Sequence, residues 1–340
     1  MSQTPRPPVG RSAPTSADVA RLAGVSRATV SYVLNNTAAV RISEPTRLRV
    51  RAAAEELGYV PHAAARSLRA GHTRTVVMPS ARLPAGPLPV RFYDEFQGEL
   101  RRLEYTVVEY GGLGLDGDEA ARAWAELRPV AVVCPGGTQP TAHGVSLLRR
   151  SGARAVVTLG PHPTQGAHFL ALDERRIGAA AVGHLIHRGR RAIGVVVPHE
   201  PGPAHCAHLR LEGARAAADG TGARTVALPM AYEEESAAAL AARWRLTGLD
   251  GVFAFDDEYA MLLMRALQDE GVDVPRETAV IGAGDLLLGR LLRPRLSTVR
   301  VDTVSGRRLA EIVDRMVREP AAEPEHHDLM AARAVHRESS

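Results

Sequence analysis

From residue 15 to about 70 the apolar positions recur at helical spacing. Val19, Leu22 and Ala23 line one face of a short helix that Gly24 ends, and Thr15 followed by Asp18 resembles a capping box at its start. Ser26 caps a second helix whose Val30, Val33 and Leu34 form the matching stripe. A third starts at Ser43 with Pro45 in its first turn, turns Val50, Ala54 and Leu57 inward and stops at Gly58. Three short helices around one small core are expected. From 75 onward the rhythm changes to apolar strands alternating with helical stretches such as 174–188 and 258–270. The ten runs are TVVMP, YTVVEYG, VAVVCPG, AVVTLG, FLALD, AIGVVVP, TVALPM, GVFAFDD, AVIGAGD and STVRV. Strands this apolar imply parallel sheets covered on both faces, and ten exceed one doubly wound sheet of ordinary size. The expected fold is therefore an all-α head joined to an α/β body of two doubly wound parallel-sheet subdomains, with a ligand cleft at the strands' carboxyl ends.

The boundaries that follow are a disordered Pro/Ser/Arg-rich tail at 1–14, a helical domain at 15–60, a linker at 61–74 and the body at 75–340. Within the body, approximately 75–172 with 300–320 form one subdomain and 173–299 with 321–340 the other. The chain's 340 residues and 45% hydrophobic content are enough for several cores. With no long uncharged apolar run and no secretory signal at the start, no membrane role is expected and the cytoplasm is the default compartment. Cys134 and Cys206 supply neither a disulfide framework nor a thiolate metal quartet. Every one of the 42 basic residues is arginine, a bias that fits the codon usage of a high-GC genome and is not itself functional. Its distribution is informative: residues 1–74 hold 11 arginines against Asp18, Glu44, Glu55 and Glu56, or +7, which leaves −3 for the remainder of a chain whose net charge is +4. A positive head on a near-neutral body is the footprint of a polyanion binder.

The stretch DVARLAGVSRATVSYVLN has what a helix-turn-helix needs to enter a DNA groove. Ala23, Gly24 and Val25 make a tight turn. Arg27 and Ala28 open the second helix on the side away from its apolar stripe, and Ser26, Thr29 and Ser31 are placed to donate to phosphates. Arg27 is the natural reader of a guanine edge. The alternative is an ordinary alanine-rich hairpin, against which the charge asymmetry counts.

The whole run from Thr15 to Val76 resembles the LacI-type (lactose repressor) family of bacterial transcription regulators: DVA-x-x-AGVS-x-x-TVS-x-VLN, then T-R-x-x-V-x-A-A-x-E-L-G-Y-x-P, then A-R-S-L. The resemblance implies that Arg27 and Ala28 meet major-groove bases and that Thr29, Ser31 and Asn35 position the backbone, with Thr15 and Ser26 among the DNA-contacting residues. Tyr32 stands where members often carry a basic or polar residue. The resemblance further makes 61–69 a hinge helix that orders on DNA and pairs with its dimer mate in the minor groove. His62, in place of the usual Asn, Ala65, Arg66 and Leu68 would then contact DNA, Leu68 as a wedge in the central base step. A nine-residue helix alone in water is marginal, which suits folding on DNA.

The body resembles the family's effector domain, similar to periplasmic sugar-binding proteins, in FLALDERRIGAAAVGHLIHRGRRAIG, RLEGARAA, GVDVPRETAVIG, PRLSTVRVD and the closing VHRESS. No leucine-heptad tail follows, so a homodimer on a palindromic double-stranded operator is expected. Arg210 matches an arginine that grips the effector in many relatives and Asp257 a cleft Asp. IGAGD replaces the usual Gly-aromatic-Asp-Asp run, leaving Gly284 for one Asp and Asp285 as the third candidate. With few aromatics, the expected effector is an atypical or anionic small molecule held by Arg210 rather than a common sugar.

Three further features are read as incidental. GGLGLDG matches a dinucleotide fingerprint, but the next strand ends VVCPGG without a ribose-binding acid. His199, His205, Cys206 and His208 in HEPGPAHCAH match no zinc spacing and are read as a polar loop. The pair at 326–327 is read as solvated loop. No cofactor, metal or catalytic residue is expected. A nucleotide-using α/β enzyme with a basic extension is the rival, weakened by the lack of G-x-S-x-G and G-x-x-x-x-G-K; a nucleoid-type binder with little sequence preference is the third.

Overall fold

The computed structural model describes residues 14–34, 41–60, 73–80, 87–111, 114–135, 139–321 and 323–340, and it divides into two units that meet between Thr73 and Arg74. In the head, α1 (Ser16–Ala23), α2 (Arg27–Leu34) and α3 (Glu44–Glu56) surround a core of Val19, Ala20, Ala23, Val30, Val33, Val50, Ala53 and Ala54. Gly24 closes α1 at φ 64, a left-handed conformation that costs glycine least, and the Val25 N–H returns to the Ala20 carbonyl at 3.0 Å. The Ser26 hydroxyl accepts the Thr29 N–H at 3.0 Å, and Pro45 lies in the first turn of α3. Leu22 departs from the expectation: it is 47% exposed, because Val19, Ala20 and Ala23 make the buried stripe and Leu22 falls outside it.

The body has two six-stranded sheets. All ten apolar runs are strands: β1 (Thr75–Pro79), β2 (Thr106–Tyr110), β3 (Ala131–Pro135), β4 (Ala155–Gly160), β5 (His168–Ala171), β6 (Ala192–Pro198), β7 (Arg224–Met230), β8 (Gly251–Phe253), β9 (Ala279–Ala283) and β10 (Ser297–Thr303). Two more, β11 (His326–Asp328) and β12 (Met330–Val335), close the count. The first sheet runs β11-β5-β4-β3-β1-β2 with every pair parallel. The second runs β12-β10-β9-β8-β6-β7, parallel except for β12, which pairs antiparallel with β10. Strands β3, β4, β8 and β9 are buried at every residue, as helix-covered parallel strands require.

Helices α4 (Pro87–Arg102), α5 (Gly117–Glu126), α6 (Ala142–Arg150) and α12 (Gly306–Arg318) belong to the first sheet's subdomain. The second holds α7 (Arg175–His187), α8 (Ala204–Ala218), α9 (Glu234–Ala241), α10 (Trp244–Thr247) and α11 (Asp257–Asp269). The chain crosses between subdomains at 172–174, at 304–305 and at Leu329. The expected division differs in two places. Residues 300–303 continue β10 in the second sheet, and 326–328 pair with β5 in the first, so a single residue separates β11 from β12. The histidine pair at 326–327 is correspondingly strand rather than solvated loop: His326 packs edge-on to Phe169, and His327 Nε2 lies 2.9 Å from Glu325. The polar alternation of these three residues hid them, since they form an edge strand with only one neighbour.

No helix among the described residues is long and apolar enough to cross a membrane.

Candidate DNA-binding and effector sites

In the head, the buried face of α2 fixes what its opposite face presents. Val30 and Val33 are in the core, so Ser26, Arg27 and Ala28 are exposed at the helix start, where the unpaired backbone N–H groups lie. Ser26 and Thr29 hydroxyls are 2.9 Å apart and organise that first turn. Among the described residues Arg27 makes no ion pair, and neither do the exposed Arg41, Arg49 and Arg51 of the third helix and its approach. Tyr32 is exposed and Ser31 half-buried. Thr15 is tied down locally: its N–H and hydroxyl both donate to the Asp18 carboxylate, at 2.9 and 2.6 Å, and these bonds hold Asp18 below the ordinary carboxylate value. Asn35, His62, Ala65, Arg66 and Leu68 lie outside the described residues, and so does the hinge helix they define.

In the body, the three residues expected at the effector site separate. Arg210 on α8 is 8% exposed and lies beside the carboxyl ends of the second sheet. Its Nε donates to Glu174 Oε2 at 2.7 Å, its Nη1 to the Phe255 carbonyl at 2.8 Å, and its guanidinium stands 4.3 Å over the Phe255 ring. Phe255 holds φ 52, a left-handed conformation uncommon for an aromatic residue. The ring chain continues from Phe255 to Tyr259 and on to the half-exposed Tyr232. Glu200, after β6, accepts from the Tyr259 hydroxyl at 2.5 Å and the Tyr232 N–H at 2.7 Å.

Asp257 and Asp285 do other work. Asp257 is 1% exposed; one carboxylate oxygen accepts from the Thr298 hydroxyl at 2.6 Å and the other from the Leu286 N–H at 2.7 Å, pinning the 284–287 loop to β10. Asp285 faces Arg337, Arg290 at 2.9 Å and Arg300 at 3.8 Å. Burial works against its charge, but the Arg337 hydrogen bond and the arginine charges outweigh it and hold its pKa low. In this structure both carboxylates are engaged by protein groups, Asp257 by Thr298 and Leu286 and Asp285 by its arginines. The acid that neighbours Arg210 is Asp256, which caps α11 by accepting the Tyr259 N–H at 2.9 Å. Burial pushes its carboxyl up to about 6, with that hydrogen bond and Arg210 pulling the other way. Sequence reasoning missed Asp256, Glu174 and the ring chain. The available signal was the N-cap position directly after β8: of two adjacent Asp, the capping one sits at the strand's carboxyl end.

Among the described residues no group of three His, Cys, Asp or Glu is placed to hold a metal ion. His205, Cys206 and His208 are on α8 rather than in a loop; His208 pairs with Glu212 at 3.1 Å, and burial pushes the Cys206 thiol up to about 12. In the glycine-rich run, Asp116 caps α5 through the Gly117 N–H.

Residues 15–62 match the family of bacterial regulatory proteins of the lacI type, and residues 182–340 match a periplasmic binding protein-like domain. The chain is 32% identical over 302 residues to the HTH-type transcriptional regulator GalR of Escherichia coli (strain K12), covering 86% of this chain and 85% of that one. It is 31% identical over 310 residues to the HTH-type transcriptional regulator GntR of Pseudomonas aeruginosa, covering 88% of each. In fold it is similar to the Lac repressor dimer bound to operator and the anti-inducer ONPF, with a TM-score of 0.75 at 19% identity over 96% of this chain and 99% of that one. Head, two-sheet body and relatives agree: the chain belongs to the LacI family and is a DNA-binding transcriptional regulator with a periplasmic-binding-protein-like effector domain.

Proposed function

We propose that this regulator is a repressor that acts by binding and not by turnover: a homodimer engages a palindromic operator through α2 of each head, and a small molecule in the body's cleft changes that affinity. The observation that carries the reading is the exposed Arg27, without an ion pair among the described residues, at the start of a helix whose other face is locked into the head's core. Arg27 reads a base edge, with Ala28 against the same groove, while Thr15, Ser26, Thr29, Ser31, Tyr32 and Asn35 contact backbone and groove wall. His62, Ala65, Arg66 and Leu68 complete the minor-groove contact, as in the family pattern. The effector sits against the wall made by Arg210, Phe255, Asp256 and the Tyr259–Tyr232 pair, at the carboxyl ends of the second sheet where open α/β sheets bind ligands. The effector-closed body disfavours the paired hinge, a shift of population between two states.

Sheared genomic DNA incubated with the protein, recovered at moderate salt and sequenced, tests the core of this. A single enriched palindrome is the expected result. Recovery without a motif would leave a backbone-only binder and end the repressor reading.

A further inference from the structure

Arg210 is the only arginine in the effector wall described above, and a lone cation there would favour an anionic ligand. Its surroundings argue the reverse. Two of its five N–H donors are already committed, one to Glu174 and one to the Phe255 carbonyl. Its charge is matched by Glu174, and Asp256 adds a second carboxylate, with Glu200 and Glu258 further along the wall. An anion on the remaining N–H donors would share the guanidinium's single charge with Glu174 and meet the repulsion of both Glu174 and Asp256, and one that displaced Glu174 would leave that half-buried carboxylate without a cation.

The neighbouring arginines cannot take over. Arg175 is held by Glu212 at 2.8 Å and Asp173 at 3.4 Å, and Arg176 by Asp328 at 2.6 Å and the Met330 carbonyl. The helices that carry the pair are in close backbone contact. A Cβ at Gly178 of α7 would lie 1.8 Å from the Arg210 carbonyl oxygen, and one at Gly213 of α8 would lie 1.9 Å from the Arg175 carbonyl oxygen. The two backbones touch on both sides of the ion pair, so its geometry is set by the helix crossing.

We propose that Glu174 is a specificity-determining residue of the effector cleft: its carboxylate is a resident counter-ion that denies Arg210 to anions and restricts the effector to uncharged or cationic polar molecules. The proposal rests on the reading of this wall as the effector site, and it replaces the anionic effector suggested by Arg210 alone.

The test uses inorganic phosphate as the probe on the full chain, by calorimetric titration and thermal shift, for wild type, Glu174→Gln and Glu174→Gln/Arg210→Gln. The first variant keeps the shape and removes the charge; Glu174→Ala serves if it does not fold. Wild type should bind phosphate only weakly, the single variant about tenfold tighter or better, and the double variant no better than wild type. Equal affinity in wild type and Glu174→Gln overturns the proposal, as does a gain that survives Arg210→Gln, which would place the phosphate elsewhere, such as on the arginine-rich head. Operator affinity measured beside it separates the two ideas. Phosphate that binds Glu174→Gln through Arg210 without changing operator affinity sustains the counter-ion and removes the cleft's regulatory role. No gain in phosphate binding, together with an uncharged sugar that shifts operator affinity, does the opposite.

Discussion

In the head, Arg27, Arg41, Arg49 and Arg51 are exposed and have no carboxylate partner among the described residues, whereas in the body Arg176, Arg210, Arg245, Arg315 and Arg337 each close on one. The residue type is the same; the supply of acids differs. Four acids accompany the 11 arginines of the first 74 residues, and Asp18 is bound to Thr15 and Arg21. Unpaired arginines keep their full attraction for phosphate and base edges and contribute little to folding. Arg210 and Arg337, paired and largely buried, do the reverse, because a charge removed from water is tolerated only while its partner remains. In the head the exposed arginines are available to DNA, whereas at Arg210 the charge is already met by Glu174.

Arg210→Ala should give the largest effect. It strands Glu174 beside Asp256 and removes the cover of Phe255, so we expect a loss of about 3 kcal/mol in unfolding free energy of the body. The unliganded protein at a temperature where it is folded should keep its operator affinity. A variant that melts like wild type would mean that Glu174 and Asp256 find water or another cation, and the contrast between the units would fail on the body's side.

Arg27→Ala is the mirror experiment. Its melting temperature should be unchanged, while operator affinity falls by about 1–3 kcal/mol with relaxed preference at one base pair. Equal losses on operator and random DNA, measured by anisotropy at one salt concentration, would reduce Arg27 to a phosphate contact.

The elements of both units were legible in the sequence because they are written in local signals: caps at Ser26 and Ser43, the Gly24 stop, and strands apolar enough to be covered on both faces. Leu22 was misread because helical spacing marks a stripe only to within one side chain, and β11 because three polar residues at a sheet edge carry no period. The ligand wall was half legible. Arg210 is visible as a lone arginine before LEG, but its partner is 36 residues away across a helix crossing, and only the fold brings Glu174 to it. The choice between Asp256 and Asp257 turns on which carboxylate caps α11 and which is drawn under the 284–287 loop, a difference of one residue that composition cannot resolve.

The smallest expected effect sharpens the comparison from the side of the acids. Asp256 titrates in the folded body near 6 against an ordinary 3.8, because burial disfavours its ionised form more than the Tyr259 N–H and Arg210 favour it. A carboxyl raised in this way leaves the folded state best off while it is protonated: its contribution is fully present below pH 3.8 and is lost as the pH rises through about 6. Asp256→Asn keeps the cap on α11 and removes the titration. Compared with wild type, the variant should be more stable by about 1 kcal/mol at pH 8, since partial solvent access discounts the full shift, and the difference should vanish below pH 4. Unfolding midpoints across that range measure it. A constant difference at every pH would show that Arg210 and Glu174 set the stability of this wall without any contribution from the second carboxylate, leaving Glu174 as the one acid whose charge matters to Arg210.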